Sequence, residues 1–372
     1  SGNILMFQSS YDTTEGWTGD VKAYQVCTVY TGDCAGRDIG EIITSSHVWS
    51  AAEKLNARTA NSRIIATYNP STGSGTPFRW ASLTTGAGSQ QALLGNENAL
   101  NYLRGDNSNE ELNGGTLRDR YSKLGDIVHS SPIFENGVLY TGGNDGMLHA
   151  FAAADDEPSA GAVGGEELFA YVPNLVFDHL SDLTDPDYTH KYYVDLTVSV
   201  KSGVNIHGSI GTPVSTTLLV GGLGKGGRGY FALDVTDAAT IANEAALAGK
   251  VMWEFPSGTD NDMGYTYSKP AIVESYDSSV GSNGWIVIFG NGYNSPSGKA
   301  VLYIVNPENG NVIEKIDTAV AGCNGLSTPV PVDVDYDDKV DYVYAGDLRG
   351  NMWKFDLTDT DHTNWEIAFY DG

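Results

Sequence analysis

Basic residues are scarce in this 372-residue chain: 21 Lys and Arg stand against 47 Asp and Glu, for a formal net charge of −26. That deficit excludes nucleic acid and anionic membrane surfaces as partners, because both require basic patches, and it suits a secreted protein that meets calcium. Long apolar runs are missing too. No stretch reaches the roughly eighteen apolar residues that a transmembrane helix needs. Cysteine is limited to three residues. Cys27 and Cys34 bracket the short loop CTVYTGDC, which predicts a disulfide in an oxidising compartment, and Cys323 stands alone.

Enzyme signatures are equally thin. The histidines, at 47, 129, 149, 179, 190, 207 and 362, show no zinc spacing, no G-x-S-x-G elbow occurs and no Cys lies near a patterned His. Carboxylates are plentiful, but nothing selects a catalytic pair. No catalytic residue is assigned, and the chain is read as a non-enzyme. It opens on Ser1-Gly2 without Met or a secretory leader, which predicts a piece excised from a longer parent.

What the sequence has is glycine (45) and tyrosine (21), with short hydrophobic segments broken by Gly, Asn and Asp. That composition predicts an all-β fold. A repeat runs through it: a small residue or Lys before Pro, a strand, a Gly-containing turn, then a second strand ending near Asp. Ser131-Pro132, Thr212-Pro213, Lys269-Pro270 and Thr328-Pro329 each open one unit, 81, 57 and 59 residues apart. The segment Gly19-Asp20-Val21-Lys22-Ala23-Tyr24 aligns with Gly146-Met147-Leu148-His149-Ala150-Phe151, adding an incomplete N-terminal unit. Such periods indicate propeller blades, so one β-propeller domain over 1–372 is expected. Residues 1–26 form part of the first blade, 27–126 a partly helical insertion, and 127–372 the remaining blades. Helices are expected in SSHVWSAAEKLNAR, in NENALNYLRGD and across Ala238 to Ala248. The C-terminal NWEIAFYDG reads as a ring-closing strand or the start of a blade that is cut off.

The most informative stretch is STPVPVDVDYDDKVDYVYAGDLRGNMWKFDL. Asp333, Asp335, Asp337 and Asp341 occupy positions 1, 3, 5 and 9 of a calcium loop. Lys339 stands at position 7, which contributes a backbone carbonyl. Asp338 takes position 6, where a left-handed backbone is needed, and Asp tolerates that region better than most. Tyr344 replaces the bidentate Glu of position 12, and the alternation of Val340, Tyr342 and Tyr344 with Asp341, Val343 and Ala345 predicts an exit into a strand. One Ca2+ is therefore expected inside a β-hairpin, held by Asp333, Asp335, Asp337, Lys339 and Asp341.

Two further motifs have a structural and a functional reading. Arg104-Gly105-Asp106 is an integrin-type tripeptide whose polar flank, Asn107 to Asn109, predicts exposure; Gly105 also serves as a helix C-cap. Gly222-Leu223-Gly224-Lys225-Gly226-Gly227 matches a dinucleotide fingerprint, but the strand RGYFALDV follows it where a helix is required, so a glycine hairpin is expected.

The run LRDRYSKLGDIVHSSPIF, the blade VLYTGGNDGMLHAFAA, the opening MFQSSYD with Trp17-Thr18-Gly19-Asp20, and the calcium loop before VDYVYAGDLRGNMWKFDL together resemble the C-terminal β-propeller of the PilY1/PilC family. These are tip-associated adhesins and assembly factors of bacterial type IV pili. The resemblance implies a modified, quinoprotein-like propeller of seven blades with calcium in the Asp333–Asp341 loop. It also implies minor pilins and the pilus tip as partners, a host-cell receptor, and a place on the bacterial surface reached through the periplasm, with outer-membrane association. The implied roles are pilus biogenesis, through the balance of extension and retraction, with attachment, twitching motility and virulence. Two alternatives stand beside it. A quinone-dependent dehydrogenase would stack its cofactor on an adjacent-cysteine disulfide, and no adjacent cysteines occur. A carbohydrate-binding propeller would use the abundant Tyr and Trp as platforms.

Overall fold

Short apolar strands joined by glycine turns can satisfy their backbone only by pairing with the next strand in sequence, and this chain does so five times over. The structure is a computed structural model that describes residues 4–14, 16–154, 162–207, 214–256, 258–281 and 283–368. Thr212-Pro213 and Phe369 to Gly372 lie outside the described residues.

The first sheet runs β1 (Ile4–Asp12), β2 (Thr18–Val26), β3 (Trp49–Ser50). In the second, β4 (Ile65–Asn69) and β5 (Ser74–Pro77) form a hairpin. β6 (Ile133–Glu135), β7 (Val138–Gly142), β8 (Leu148–Ala152) and β9 (Glu167–Val172) form a meander whose last strand takes β4 alongside it in parallel. The third is β10 (Ser199–His207), β11 (Val214–Gly222), β12 (Tyr230–Asp234) and β13 (Val251–Phe255). The fourth is β14 (Ala271–Glu274), β15 (Trp285–Gly290), β16 (Val301–Val305) and β17 (Val312–Asp317). The fifth is β18 (Val330–Val332), β19 (Tyr342–Gly346), β20 (Met352–Asp356) and β21 (Glu366–Ile367). Each of the last four sheets contains the four-stranded meander of a propeller blade.

The blades stack face to face. One apolar cluster joins the first and second sheets, another the second and third, a third the third and fourth, and a fourth the fourth and fifth. The first strands of successive blades lie side by side: β10 packs between β6 and β14, and β14 against β18. Polar pins repeat at this seam. Ser131 N donates to Thr197 Oγ1 at 2.9 Å, Ser199 Oγ to Pro270 O at 2.5 Å and Lys269 N to Thr328 Oγ1 at 3.0 Å. Two glycines at the end of the second strand allow the next blade's chain to pass. A Cβ at Gly142 would meet Val194 O at 2.1 Å, and one at Gly290 would meet Ser327 O at 2.4 Å.

These pins correct the repeat spacing. Ser131, Thr197, Lys269 and Thr328 are equivalent, so the third blade opens at β10 and not at Pro213, which directly precedes β11, the second strand of that blade. The C-terminal strand is also reassigned. β21 pairs with β20 and completes the fifth sheet, so it neither closes the ring nor opens another blade. Among the described residues no strand pairing joins the first sheet to the fifth.

The segment 27–126 is stitched into two blades. β3 pairs with the outer edge of β2, and β4 with that of β9, because these edges carry unpaired backbone groups. α1 (Ala51–Ala57) starts where Ser50 Oγ accepts Glu53 N at 3.1 Å. α2 (Gln90–Leu94) was not anticipated; α3 (Glu97–Leu103) was, and Asn96 caps it. α4 (Phe177–Leu180) follows β9. The third expected helix is shorter: a 3-10 turn occupies Ala238–Thr240, and α5 (Glu244–Ala248) begins only where the Asn243 side chain accepts Ala246 N. No described helix is long and apolar enough to cross a membrane. Cys27 and Cys34 form the disulfide, and Cys323 is free and exposed.

One buried ion network fastens this segment to the second blade. Arg63, just before β4, grips Glu167 of β9 with two hydrogen bonds of 2.8 Å. His149 of β8 sits between Glu167 at 2.9 Å and Asp145 at 3.0 Å. Burial opposes the imidazolium, but Asp145 and Glu167 outweigh it and lift His149 to about 9. Burial would also raise Glu167, yet Arg63 and His149 hold it far below the usual carboxylate range. A histidine raised in the folded state stabilises fully below its unfolded value near 6.5 and loses that contribution as pH climbs through about 9. The contribution is on the order of 3 kcal/mol. Burial pushes Glu254 up to about 8, so it costs stability as pH rises from its ordinary 4.5 to about 8, overlapping only the lower part of the histidine window, and the diagnostic is a difference of slopes. Urea midpoints of the parent should fall between pH 6.5 and 9.5 more steeply than those of His149→Gln, which should already be lower at pH 6.5. Parallel profiles would show that His149 is neutral in the fold.

Candidate metal centre

β18 and β19 pair from Val330↔Tyr344 to Val332↔Tyr342, and residues 333–341 close the hairpin between them. The loop winds because its own carboxylates collect its amides. Asp333 accepts Tyr336 N at 2.6 Å and Asp338 N at 2.9 Å, Asp337 accepts Lys339 N at 3.0 Å, and Asp341 accepts Val334 N at 2.6 Å. Tyr336 and Asp338 turn left-handed, at φ 65° and 70°. Asp338 thus adopts the backbone expected at position 6; for Tyr336 nothing in the sequence pointed to it.

The fold brings Asp333, Asp335 and Asp341 together, with one oxygen of each within 4.8 Å of the others. Asp337 lies outside that trio and is turned to the Lys339 amide. Two oxygens bound to one calcium at 2.3–2.6 Å lie at most about 5 Å apart, so the trio has the separation a hard cation requires. Partial desolvation, then the charges of Asp337 and Asp341, push the Asp335 carboxyl above its ordinary range. Convergent carboxylates that destabilise one another are the donor set a divalent cation stabilises.

The neighbouring blade takes part. Tyr276, just past β14, donates its hydroxyl to Asp341 Oδ1 at 3.0 Å, and the Lys339 ammonium lies 5.2 Å from the centre of its ring. Val340 N donates to Glu274 O at 2.9 Å, part of a parallel bridge between Glu274 and Lys339. The loop therefore straddles the junction of the fourth and fifth sheets. Tyr276 has no sequence signal, since 65 residues separate it from Asp341.

A second group, Asp277, Asp361 and His362, converges at the same junction. Its members bind one another across the junction: Asp277 Oδ2 accepts His362 N at 2.9 Å and lies 3.1 Å from the His362 ring, while Asp277 Oδ1 accepts Ser279 N and Oγ and Asp361 Oδ1 accepts Thr363 N and Oγ1. It acts as a clasp between sheets.

The expectation of an exposed Arg104-Gly105-Asp106 is corrected. Arg104 is 1% exposed, and its guanidinium reaches Phe78 O at 2.8 Å and Glu244 at 2.8 Å. Gly105 has φ 107° just past α3, the capping role, and Asp106 accepts Ser108 N while its carbonyl takes Arg120. The guanidinium is a core group that no receptor reaches. The glycine-rich 222–227 segment lies in the β11–β12 connection, a hairpin as expected.

Residues 124–367 match the PilY1 beta-propeller domain family. The chain is 41% identical over 320 residues to a type IV pilus biogenesis factor PilY1 homolog of Xylella fastidiosa, covering 73% of this chain and 20% of that protein. It is 34% identical over 399 residues to type IV pilus biogenesis factor PilY1 of Pseudomonas aeruginosa, covering 94% of this chain and 30% of the relative. The chain thus spans less than a third of the length of these curated relatives. The crystal structure of the Pseudomonas aeruginosa PilY1 C-terminal domain aligns at 32% identity and a TM-score of 0.47, over 62% of this chain and 44% of that one. A family match over most of the blades, with this level of identity to its members, means that the chain belongs to the PilY1 β-propeller family.

Proposed function

We propose that this chain is the calcium-binding, non-catalytic propeller of a type IV pilus-associated adhesin at the bacterial surface. It would act in pilus biogenesis, in the balance of extension and retraction, and in surface attachment and twitching motility, with minor pilins of the pilus tip as partners. The pilus assignment rests on the family match over 124–367. The metal assignment rests on one observation, the convergence of Asp333, Asp335 and Asp341 in a loop already wound by its own amides. A host receptor, if engaged, is met elsewhere than at Arg104, which is buried.

Ca2+ would be held by Asp333, Asp335 and Asp341, with Asp337 and the Lys339 carbonyl completing the shell. The ion would neutralise the carboxylates, and Tyr276 and Glu274 would carry the stiffening into the fourth sheet. The external calcium concentration would then set the order of the junction that a pilus component contacts. At one hundred times Kd, the folded state gains about 2.7 kcal/mol.

Calorimetric titration with calcium chloride should show one site at about 10⁻⁴ to 10⁻³ M. Asp335→Ala should lose at least tenfold in affinity and Asp337→Ala less; parent-like binding by Asp335→Ala would contradict the ligand set. If binding is lost but pilus number and twitching are unchanged in cells carrying Asp335→Ala, the site is structural only. Tyr276→Phe removes the hydroxyl that orients Asp341, and its affinity should fall about tenfold, as for other groups behind a metal ligand. An unchanged isotherm would show that the neighbouring blade plays no part.

A further inference from the structure

Strands of a blade alternate in direction, so the β18–β19 loop emerges at one end of the sheets. The connections between second and third strands, and those between blades, emerge at the other. That other end carries a row of aromatic rings. Trp17, in the β1–β2 turn, stacks on His190 at 3.8 Å, and His190 meets Tyr192 at 4.9 Å. Tyr265 and Tyr293 face one another across a pair of backbone hydrogen bonds of 2.7 and 3.2 Å, and Tyr267 packs on Tyr293 at 5.6 Å. Tyr267 links the two halves: burial, then the nearby Asp195 and Tyr192, push its phenol up.

Three observations mark this row as more than packing. Trp17 holds φ 63°, a left-handed backbone that a bulky residue adopts only under strain. Its ring is thereby laid along the row. The rings of Trp17, Tyr192, Tyr265 and Tyr293 are only half-buried and Tyr267 is exposed. Exposed cations flank them: the Lys225 ammonium lies 4.2 Å from the Tyr192 ring centre and the Arg228 guanidinium 5.2 Å from that of Tyr265. Two carboxylates of this end are buried beneath the row, Asp195 against His129 at 2.6 Å and Asp126 against His190 at 2.8 Å. This end therefore sets two exposed cations beside half-buried and exposed aromatic rings.

We propose that the aromatic row from Trp17 through Tyr192 to Tyr293, flanked by Lys225 and Arg228, binds an acidic polysaccharide. Pyranose rings have apolar faces that rest on Tyr and Trp, and their hydroxyl edges remain in water. Carboxylates of uronic acid residues pair with the two cations. The platforms recur from blade to blade, which fits a ligand that itself repeats. Phenol hydroxyls and cations border the rings, and a polar repeating polymer matches them better than an apolar peptide. This site is at the opposite end of the sheets from the calcium loop, and the proposal does not rest on that loop.

The test is calorimetry with a galacturonic acid hexasaccharide, with cellohexaose as the uncharged comparison, in EDTA so that calcium bridging contributes nothing. The folded parent should bind the acidic sugar more tightly than cellohexaose. The double variant Tyr192→Ala, Tyr267→Ala should lose at least tenfold for both sugars. Lys225→Ala with Arg228→Ala, at exposed positions, should lose tenfold for the acidic sugar and leave cellohexaose unchanged. Thermal melting checks that both variants fold, and the second stands alone if the first does not. No binding at millimolar sugar, undiminished affinity in the lysine–arginine variant, or displacement by polyglutamate at equal charge would overturn the proposal, the last pointing to an acidic peptide.

Discussion

A blade in the middle of this stack has no face left for water, and that constraint organises the molecule. Every residue of β7, β8 and β16 is buried, as are the last seven of β11. At the ends of the stack the pattern changes: β19 alternates buried and half-buried residues, and β1 is largely exposed. The difference is not one of propensity, since Val, Tyr and Ala fill both kinds of strand. It reflects whether a neighbour covers the second face. With faces committed to packing and edges to pairing, polar chemistry is left to the strand ends, where the loop at 333–341 and the aromatic row are both found.

The metal loop illustrates how such an end becomes a site. Five aspartates within nine residues create repulsion, which the fold relieves only in part by feeding amides to Asp333, Asp337 and Asp341. Asp335 receives least relief and is the carboxyl pushed upward. A divalent cation would complete the balance. Because Tyr276 and Glu274 belong to the preceding blade, the loop is a seam between sheets as well as the turn of one hairpin.

Much of this was legible in the sequence, and the failures share a cause. The alternation of Tyr342, Val343, Tyr344 and Ala345 and the Cys27–Cys34 loop are local patterns, and local geometry honours them, whereas the aspartate spacing brings Asp333, Asp335 and Asp341 together and leaves Asp337 outside. Arg104-Gly105-Asp106 misled because its polar flank is local while the fate of Arg104 is not: the groups that bury it come from Phe78 and Glu244. Pro213 looked like the start of a blade because β10, which lacks a proline before it, gives no matching signal. Tyr276, Arg63 and Glu167 depend on partners 65 to 104 residues away, and no spacing rule reaches that far.

The central claim is that calcium orders a seam between two blades. Hydrogen exchange with and without calcium tests it most directly. The account predicts added protection at 333–341 together with 274–276, and little change in the second and third sheets. Protection confined to 333–341, or none at all, would contradict it.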